Sequence, residues 1–304
     1  MPRSLPRVAL ATAARLPELD TDGPQLIAAL AAAGVHGEPA VWDDRRVDWS
    51  TFDLVVVRSV WDYVGRRQEL VAWASALPVP VANPADVLAW STEKTYLRDL
   101  AARGVPVVPT LWDPVGVPDD GREWVVKPVV SAGADDTARW LPGQRDEAAR
   151  HLARLQGLGR STMAQPYLEG VDTEGETALV YLGAGFSHAV RKGQLLRPGE
   201  GVRPPVGDAG TADDADDADD ADDRGEVTVR EPTPEQRALA EAALDAVPGG
   251  RERLLYARVD TVPGPDGAPL LLELELAEPS LFLGFDAGAA TRLAAAVAAR
   301  VGTR

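Results

Sequence analysis

Leu254-Leu-Tyr-Ala-Arg-Val-Asp-Thr261 and Pro269-Leu-Leu-Leu-Glu-Leu-Glu-Leu276 are the two runs on which the reading of this chain turns. Val262-Pro-Gly-Pro-Asp-Gly-Ala268 between them is rich in turn formers, so the pair reads as antiparallel strands joined by a short loop. Side chains alternate faces along a strand, with residues two apart separated by roughly 6.5–7 Å. Arg258 and Asp260 therefore share one face. Glu273 and Glu275 share a face of the next strand, with Leu272, Leu274 and Leu276 on the other. If the charged faces coincide, three carboxylates and one guanidinium meet in one patch. Like charges so close repel unless a cation sits among them, and a hard, oxygen-seeking ion such as Mg²⁺ is the natural candidate. The competing reading is an ordinary half-exposed hairpin with a solvated acidic face.

Upstream, Arg7 to Ala11 reads as a first strand and Gln25 to Gly34 as a helix, capped near Asp22 and stopped by Gly34. Asp53-Leu-Val-Val-Val-Arg58 is a continuous apolar run typical of a buried parallel strand, and a helix follows over Gln68 to Ala76. This alternation implies an open α/β layer over roughly the first 85 residues, with ligands beyond the carboxyl ends of its strands. Arg58-Ser-Val-Trp-Asp-Tyr63 lies at such an end, so Arg58, Ser59, Asp62 and Tyr63 are substrate-binding candidates. The plainer alternative is a surface turn around a packed Trp61.

The next region begins near Asn83-Pro84 and carries Lys94 in a helical stretch, Trp90-Ser-Thr-Glu-Lys94. In Glu123-Trp-Val-Val-Lys-Pro-Val-Val-Ser-Ala-Gly-Ala134, Lys127 sits inside an apolar strand, a costly position unless it is paired or faces a ligand. The small-residue turn after it, Ser131-Ala-Gly-Ala134, can bring backbone N–H groups close to an anion, although no Walker loop and no G-x-G-x-x-G occurs. A helix near Asp146 to Leu155 precedes Thr162-Met-Ala-Gln-Pro-Tyr-Leu168. Paired strands then run over Gly175 to Leu182 and Phe186 to Val190, ending in Arg191-Lys192. A helix over Pro234 to Ala246 leads into the carboxylate hairpin, and an alanine-rich helix starts near Ala287.

Composition sets the limits. The 304 residues suggest two or three lobes, and no run approaches the ~18–20 apolar residues of a membrane span. Cysteine is absent, which excludes disulfides, thiolate zinc sites and a cysteine nucleophile. No signal-peptide pattern is read at Met1–Arg7, and a cytoplasmic location is expected. The net charge of −16 is misleading, because Ala212 to Asp223 is an Ala-Asp-Asp repeat with eight aspartates; without it the charge falls to about −8. That repeat reads as a disordered acidic insertion at about 203–226, with a calcium site as the sharper alternative. So acidic a chain is not expected to bind nucleic acid.

The order of these pieces resembles the ATP-grasp superfamily across essentially the whole chain. A lysine at a helix, a lysine on a strand before a small-residue loop, Gln165-Pro-Tyr-Leu168, a basic strand end and then Asp260 with Glu273-Leu-Glu275 follow one another. Within that superfamily, Arg58-Ser-x-Trp-Asp-Tyr63, Lys127-Pro-x-Val-Ser-Ala-Gly133, Phe186-Ser-His-Ala-Val-Arg-Lys192, Tyr256-Ala-Arg-Val-Asp260 and Glu273-Leu-Glu-Leu-x-Glu-Pro-Ser-Leu-Phe-Leu283 look like the actinobacterial group that includes D-cycloserine synthetase. The resemblance implies an α/β (α+β) ATP-grasp fold: an N-terminal open α/β substrate domain over 1–89, and two lobes, 90–164 and 165–304, clasping ATP. It implies phosphate contacts for Lys94 and Lys127, with Lys127 also near adenine, and closure of the Ser131, Ala132, Gly133 loop over the phosphates. Gln165, Tyr167 and Leu168 would form the adenine hinge, with Glu169 or Asp172 at the ribose. Asp260, Glu273 and Glu275 would hold Mg²⁺; asparagine is common at the third position, so the extra charge of Glu275 raises Mn²⁺ or a second metal as options. Arg258, Arg191 and Lys192 would neutralise the transferring phosphoryl group, and Ser280 would join the substrate contacts.

Joining a carboxylate to an amine needs activation, and an acyl phosphate made from ATP supplies it through positioning and charge stabilisation. No Ser-His-Asp constellation is evident. His36 and His151 look like surface positions; His188 is either structural or a substrate contact. The expected activity is ADP-forming carbon–nitrogen ligation on a small amino-acid-like substrate, with cyclisation of O-ureido-D-serine to D-cycloserine as one form. An intermolecular amino-acid or peptide ligase and a non-catalytic ATP-binding module are the alternatives. Oligomeric state stays open, a homodimer among the options.

Overall fold

The computed structural model describes residues 5–204 and 226–302. The Ala-Asp-Asp repeat lies outside the described residues. Arg203, at the expected start of the insertion, is held in place by backbone hydrogen bonds to Asp136 and Thr137.

The chain opens with β1 (Arg7–Thr12), α1 (Gly23–Ala32), β2 (His36–Val41), β3 (Leu54–Ser59), α2 (Arg67–Ala76) and β4 (Val81–Ala82). The four strands form a parallel sheet ordered β2-β1-β3-β4, as the alternation of apolar runs and helices predicts. Every residue of β3 is buried, the signature of an inner parallel strand. β2 escapes the sequence reading because Gly37 and Pro39 weaken its strand signal; an edge position tolerates the proline.

Two short helices follow, α3 (Ala85–Ser91) and α4 (Tyr96–Ala102), and Lys94 lies in the turn between them rather than on a helix. Next come β5 (Leu111–Trp112), β6 (Trp124–Pro128), β7 (Ala138–Trp140), α5 (Arg145–Gly157) and β8 (Thr162–Pro166). Their strands make an antiparallel sheet ordered β5-β8-β6-β7. Trp124, Val126 and Ala164 from this sheet share a core with Leu152 and Leu155 of α5. β8 crosses the lobe boundary expected at 164/165.

α6 (Gly170–Thr173) leads to β9 (Glu176–Leu182), β10 (Gly185–Lys192), β11 (Val227–Val229), α7 (Pro234–Asp245), β12 (Tyr256–Pro263), β13 (Pro269–Glu275) and α8 (Ala289–Gly302). The five strands form an antiparallel sheet, β11-β10-β9-β12-β13. α7 begins with a capping box, in which Thr233 Oγ1 accepts from the Gln236 N–H and the Gln236 side chain accepts from the Thr233 N–H.

The first and third sheets are tied together. Val8, Leu10, Leu26 and Leu30 share one core with Leu293 and Val297 of α8 and with Val180 of β9. Buried Asn83 spans the join: its amide donates to the Tyr256 and Leu276 carbonyls, and its oxygen accepts from the Leu255 N–H. Asp22 heads α1 but does not cap it. Its carboxylate accepts instead from the Leu281 and Leu283 N–H groups, at 3.1 and 2.9 Å. Among the described residues no helix is long and apolar enough to cross a membrane.

Candidate active site

The register of β12 and β13 sets Arg258 opposite Glu275 and Asp260 opposite Glu273. The expected alternation fails one residue later. Thr261 pairs with Leu271, leaving Leu272 as the extra residue of a β-bulge. Leu271 is buried away from the cavity of about 340 Å³ between the sheets, whereas Leu272 takes part in lining it, as buried Leu274 also does.

All four charged hairpin residues line that cavity, but they are not four free groups. Arg258 donates to both carboxylate oxygens of Asp260, at 2.9 and 3.0 Å, and also to Glu275. Lys192, at the end of β10, donates to Asp260 at 2.7 Å and pairs with Glu176 at 2.8 Å. Lys127, on β6, donates to Glu273 at 2.6 Å, with Lys94 Nζ 3.9 Å away. Among the described residues no three acidic or histidine side chains converge to hold an ion. The carboxylates expected to gather round one metal are instead parted by cations.

Charge and burial compete at each group. Burial pushes Asp260 and Glu273 up, but the cations beside them outweigh it. Arg258 and Lys192 hold Asp260 below the usual carboxylate range, and Lys127 and Lys94 hold Glu273 well below it. Burial opposes the charge on Lys192, yet Asp260 and Glu176 keep it firmly protonated. Glu275 goes the other way: burial, with repulsion from Asp260 and Glu273, outweighs Arg258 and raises its carboxyl.

The other expected nucleotide contacts divide. Lys94 Nζ donates to the Ser131 carbonyl at 2.8 Å and to its hydroxyl at 3.1 Å, pinning the loop after β6. Ser131, Ala132 and Gly133 line the cavity, and left-handed backbone at Gly133 (φ 60°) and Ala134 (φ 62°) turns the loop there. Gln165, Tyr167 and Leu168 line it too. Glu169 and Asp172 do not. Glu169 is exposed at the head of α6. Asp172 is taken by Arg139, through two 3.0 Å bonds, and by the Tyr167 hydroxyl. Arg139 also lies 3.4 Å from the Tyr167 ring centroid and pairs with Glu123, so the group serves as a brace behind the hinge. Arg191 alternates with Lys192 on β10 and does not line the cavity; its Nε donates to the Glu174 carbonyl.

Of the expected substrate contacts, Tyr63 and Ser280 line the cavity, and so does Trp61. Arg58, Ser59, Asp62 and His188 do not. Arg58 is 1% exposed, lies 3.4 Å from Asp20 and 3.8 Å from Asp22, and donates to the Pro279 carbonyl. Ser59 is buried against Thr12 Oγ1, and Asp62 accepts from the Trp42 indole and Arg66. His188 Nε2 lies within hydrogen-bond distance of the Leu281 and Phe282 carbonyls, and burial lowers its pKa. These contacts make His188 a fastener. His188→Ala is expected to cost about 1–3 kcal/mol of stability in urea titration, with KM unchanged. His151, read as a surface position, is buried against Trp140.

Glu176, Arg15 and Glu278 are among the cavity groups that carried no sequence prediction as site residues. Glu176 had a cue in its place next to the basic strand end. Glu278 stands in the Glu273–Leu283 motif, but its approach to Trp61 and Tyr63 joins residues far apart in sequence. The Trp61 indole donates to its carbonyl at 3.0 Å. Burial, then repulsion from Glu275, pushes the Glu278 carboxyl up to about 8, and burial with Glu278 raises Tyr63 in turn. Between the unfolded value near 4.5 and about 8, the folded protein holds a proton that the unfolded chain has released. Its contribution to stability therefore falls as pH rises through that window. Urea titrations across pH 5–9 are expected to show a flatter profile for Glu278→Gln than for the parent.

Comparison with known proteins agrees with this architecture. Residues 8–83 match the family model described as D-cycloserine synthetase DcsG, N-terminal domain. The cycloserine biosynthesis protein DcsG of Streptomyces lavendulae is 37% identical over 311 residues, covering 97% of this chain and 98% of that protein. The crystal structure of D-cycloserine synthetase DcsG superposes with a TM-score of 0.83 at 35% identity, covering 97% and 99% of the two chains. The fold is shared more distantly by a RimK domain ATP-grasp protein of Sphaerobacter thermophilus DSM 20745 (TM-score 0.64, 17% identity, 96% and 99% covered). It is shared also by the ATP-grasp ligase PsnB, solved with a minimal precursor, Mg and ADP (TM-score 0.59, 16% identity, 97% and 98% covered). With identity above one third along nearly its whole length, this chain belongs to the DcsG family, and it shares its fold with ATP-grasp proteins.

Proposed function

We propose that this enzyme activates the carboxylate of a small amino acid with ATP and closes the product on itself, converting O-ureido-D-serine to D-cycloserine. The observation that carries the reading is the cavity: Lys94, Lys127, Lys192 and Arg258 meet Asp260 and Glu273 on one surface, drawn from segments far apart in sequence. ATP transfers its γ-phosphoryl group to the substrate carboxylate, giving an acyl phosphate and ADP. The substrate's own amino-oxy nitrogen attacks the acyl carbon and expels phosphate. The carbamoyl group on that nitrogen leaves as carbamic acid, so one water is consumed overall.

Lys94 and Lys127 suit the phosphates, the Ser131–Gly133 loop covers them, and Gln165, Tyr167 and Leu168 form the adenine wall. The ribose contact passes from Glu169 and Asp172 to Glu176. Arg258 and Lys192 face the phosphoryl group, and Arg191 drops out. Asp260, Glu273 and Glu275 are hard oxygen donors of the kind that would hold Mg²⁺ once an incoming polyphosphate had taken over the lysines that now pair with Asp260 and Glu273. When bound, Mg²⁺ neutralises charge on the transferring group. Tyr63 and Ser280 remain as substrate contacts. The three sheets support a division into three lobes near the expected bounds, with the second reaching Pro166 rather than ending at 164.

The test is ADP release with Mg²⁺-ATP, with and without O-ureido-D-serine, the organic product being read by mass spectrometry. Substrate-stimulated ADP with a ring-closed product is the expected result, lost on chelation and assayed again with Mn²⁺. ADP formed only with a separate acid and amine would replace cyclisation by intermolecular ligation. No ADP across a broad panel of acids and amines would leave an ATP-binding module.

A further inference from the structure

Four carboxylates of the cavity each have a basic side chain within ion-pair distance: Asp260 and Glu273, at 2.7 Å and 2.6 Å from Lys192 and Lys127, then Glu275 at Arg258 and Glu176 at Lys192. Glu278 lines the same cavity and makes no ion pair among the described residues. Tyr63 lines the cavity with it, and the Trp61 indole donates to its main-chain carbonyl. Glu275 repels it, and Lys94 and Arg258 act only from a distance. A half-buried carboxyl with no cation beside it is costly to ionise, and an incoming cation would favour its charged form.

We propose that Glu278 receives the ammonium group of the substrate, the incoming cation supplying the ion pair that this cavity carboxyl lacks among the described residues. The proposal rests on the reading of the chain as a ligase of an amino acid, and it names the element that makes an amino acid the preferred acid. Placement supports it. Trp61 and Tyr63 follow β3, and Arg15 follows β1; the two strands are parallel neighbours, so both loops leave the same edge of the first sheet. Ligands bind at that edge in sheets of this kind. Arg15 lines the cavity and makes no hydrogen bond or ion pair among the described residues. This edge therefore offers one unpaired carboxyl and one unpaired guanidinium, a charge pattern complementary to a zwitterion.

The experiment compares the parent enzyme with Glu278→Gln on O-ureido-D-serine and on its analogue with hydrogen in place of the amino group. Loss of one charged hydrogen bond predicts a KM for the amino substrate raised about 10–150-fold in the variant, with kcat changed far less. The des-amino analogue is expected to bind both proteins equally, since it has nothing to give Glu278. Unchanged KM in Glu278→Gln would overturn the proposal, as would an equal loss for both compounds, which would mark a structural role. If Glu278→Gln does not fold, Tyr63→Phe carries the same comparison, with a smaller rise confined to the amino substrate. If the parent forms no ADP with O-ureido-D-serine, the cyclisation reading fails. Calorimetric titration with D-serine, which needs no turnover, then decides the Glu278 role: weaker binding in the variant supports it, and equal binding or none to the parent sinks it.

Discussion

Glu273→Gln is expected to lower substrate-dependent ADP release by about 10²–10³-fold and to leave the fold intact. The carboxylate lies at the meeting point of two lysines from separate segments, Lys127 at 2.6 Å and Lys94 at 3.9 Å. It has two tasks in the proposed reaction: to set the lysines in place before ATP arrives, and to hold Mg²⁺ afterwards. The amide keeps the shape and loses the charge, so both fail together. Nothing in the hydrophobic core depends on it, since the side chain faces the cavity. Steady-state kinetics with a circular-dichroism check on folding measures the effect, and parent-like rates would remove Glu273 from the catalytic assignment. Lys127→Ala is expected to follow in the same direction.

Arg58→Leu is expected to behave in the opposite way, costing about 3–5 kcal/mol of stability and sparing the chemistry of whatever remains folded. Arg58 is enclosed between Asp20 and Asp22, with the Tyr256 ring 5.8 Å from its guanidinium. Removing it leaves two aspartates in a dry place without their shared cation. Asp22 in turn accepts the N–H groups of Leu281 and Leu283, so the damage reaches the segment that follows Ser280. Denaturant titration measures the loss. A variant as stable as the parent but weak in substrate affinity would restore Arg58 as a substrate contact.

These two arginine and glutamate positions mark where sequence reasoning succeeds and where it stops. The charged face of β12 and β13 is legible because strand periodicity is two, and short-range alternation alone puts Arg258 with Asp260 and Glu273 with Glu275. β3 is legible as an unbroken apolar run. In Arg58-Ser-Val-Trp-Asp-Tyr63 the stretch was identified, but which side chains face the cavity depends on where the strand ends, and periodicity does not carry through a turn. Trp61 and Tyr63 face the cavity, while Arg58 and Ser59 close over the core. Asp172 was lost to Arg139 of β7, a three-residue strand too short to announce its pairing. The bulge at Leu272 and the approach of Glu278 to Tyr63 are products of tertiary packing. No local pattern encodes them.

The last helix has a consequence for how such a chain comes into being. Leu26 and Leu30 of α1 are covered by Leu293 and Val297 of α8, some 260 residues later in synthesis by the numbering itself. A ribosome delivers the first sheet long before the helix that roofs it. Until residues 289–302 emerge, the outer side of α1 presents leucine to water, so the newborn N-terminal layer cannot mature as an independent unit. The N-terminal layer is finished only when α8 has been made.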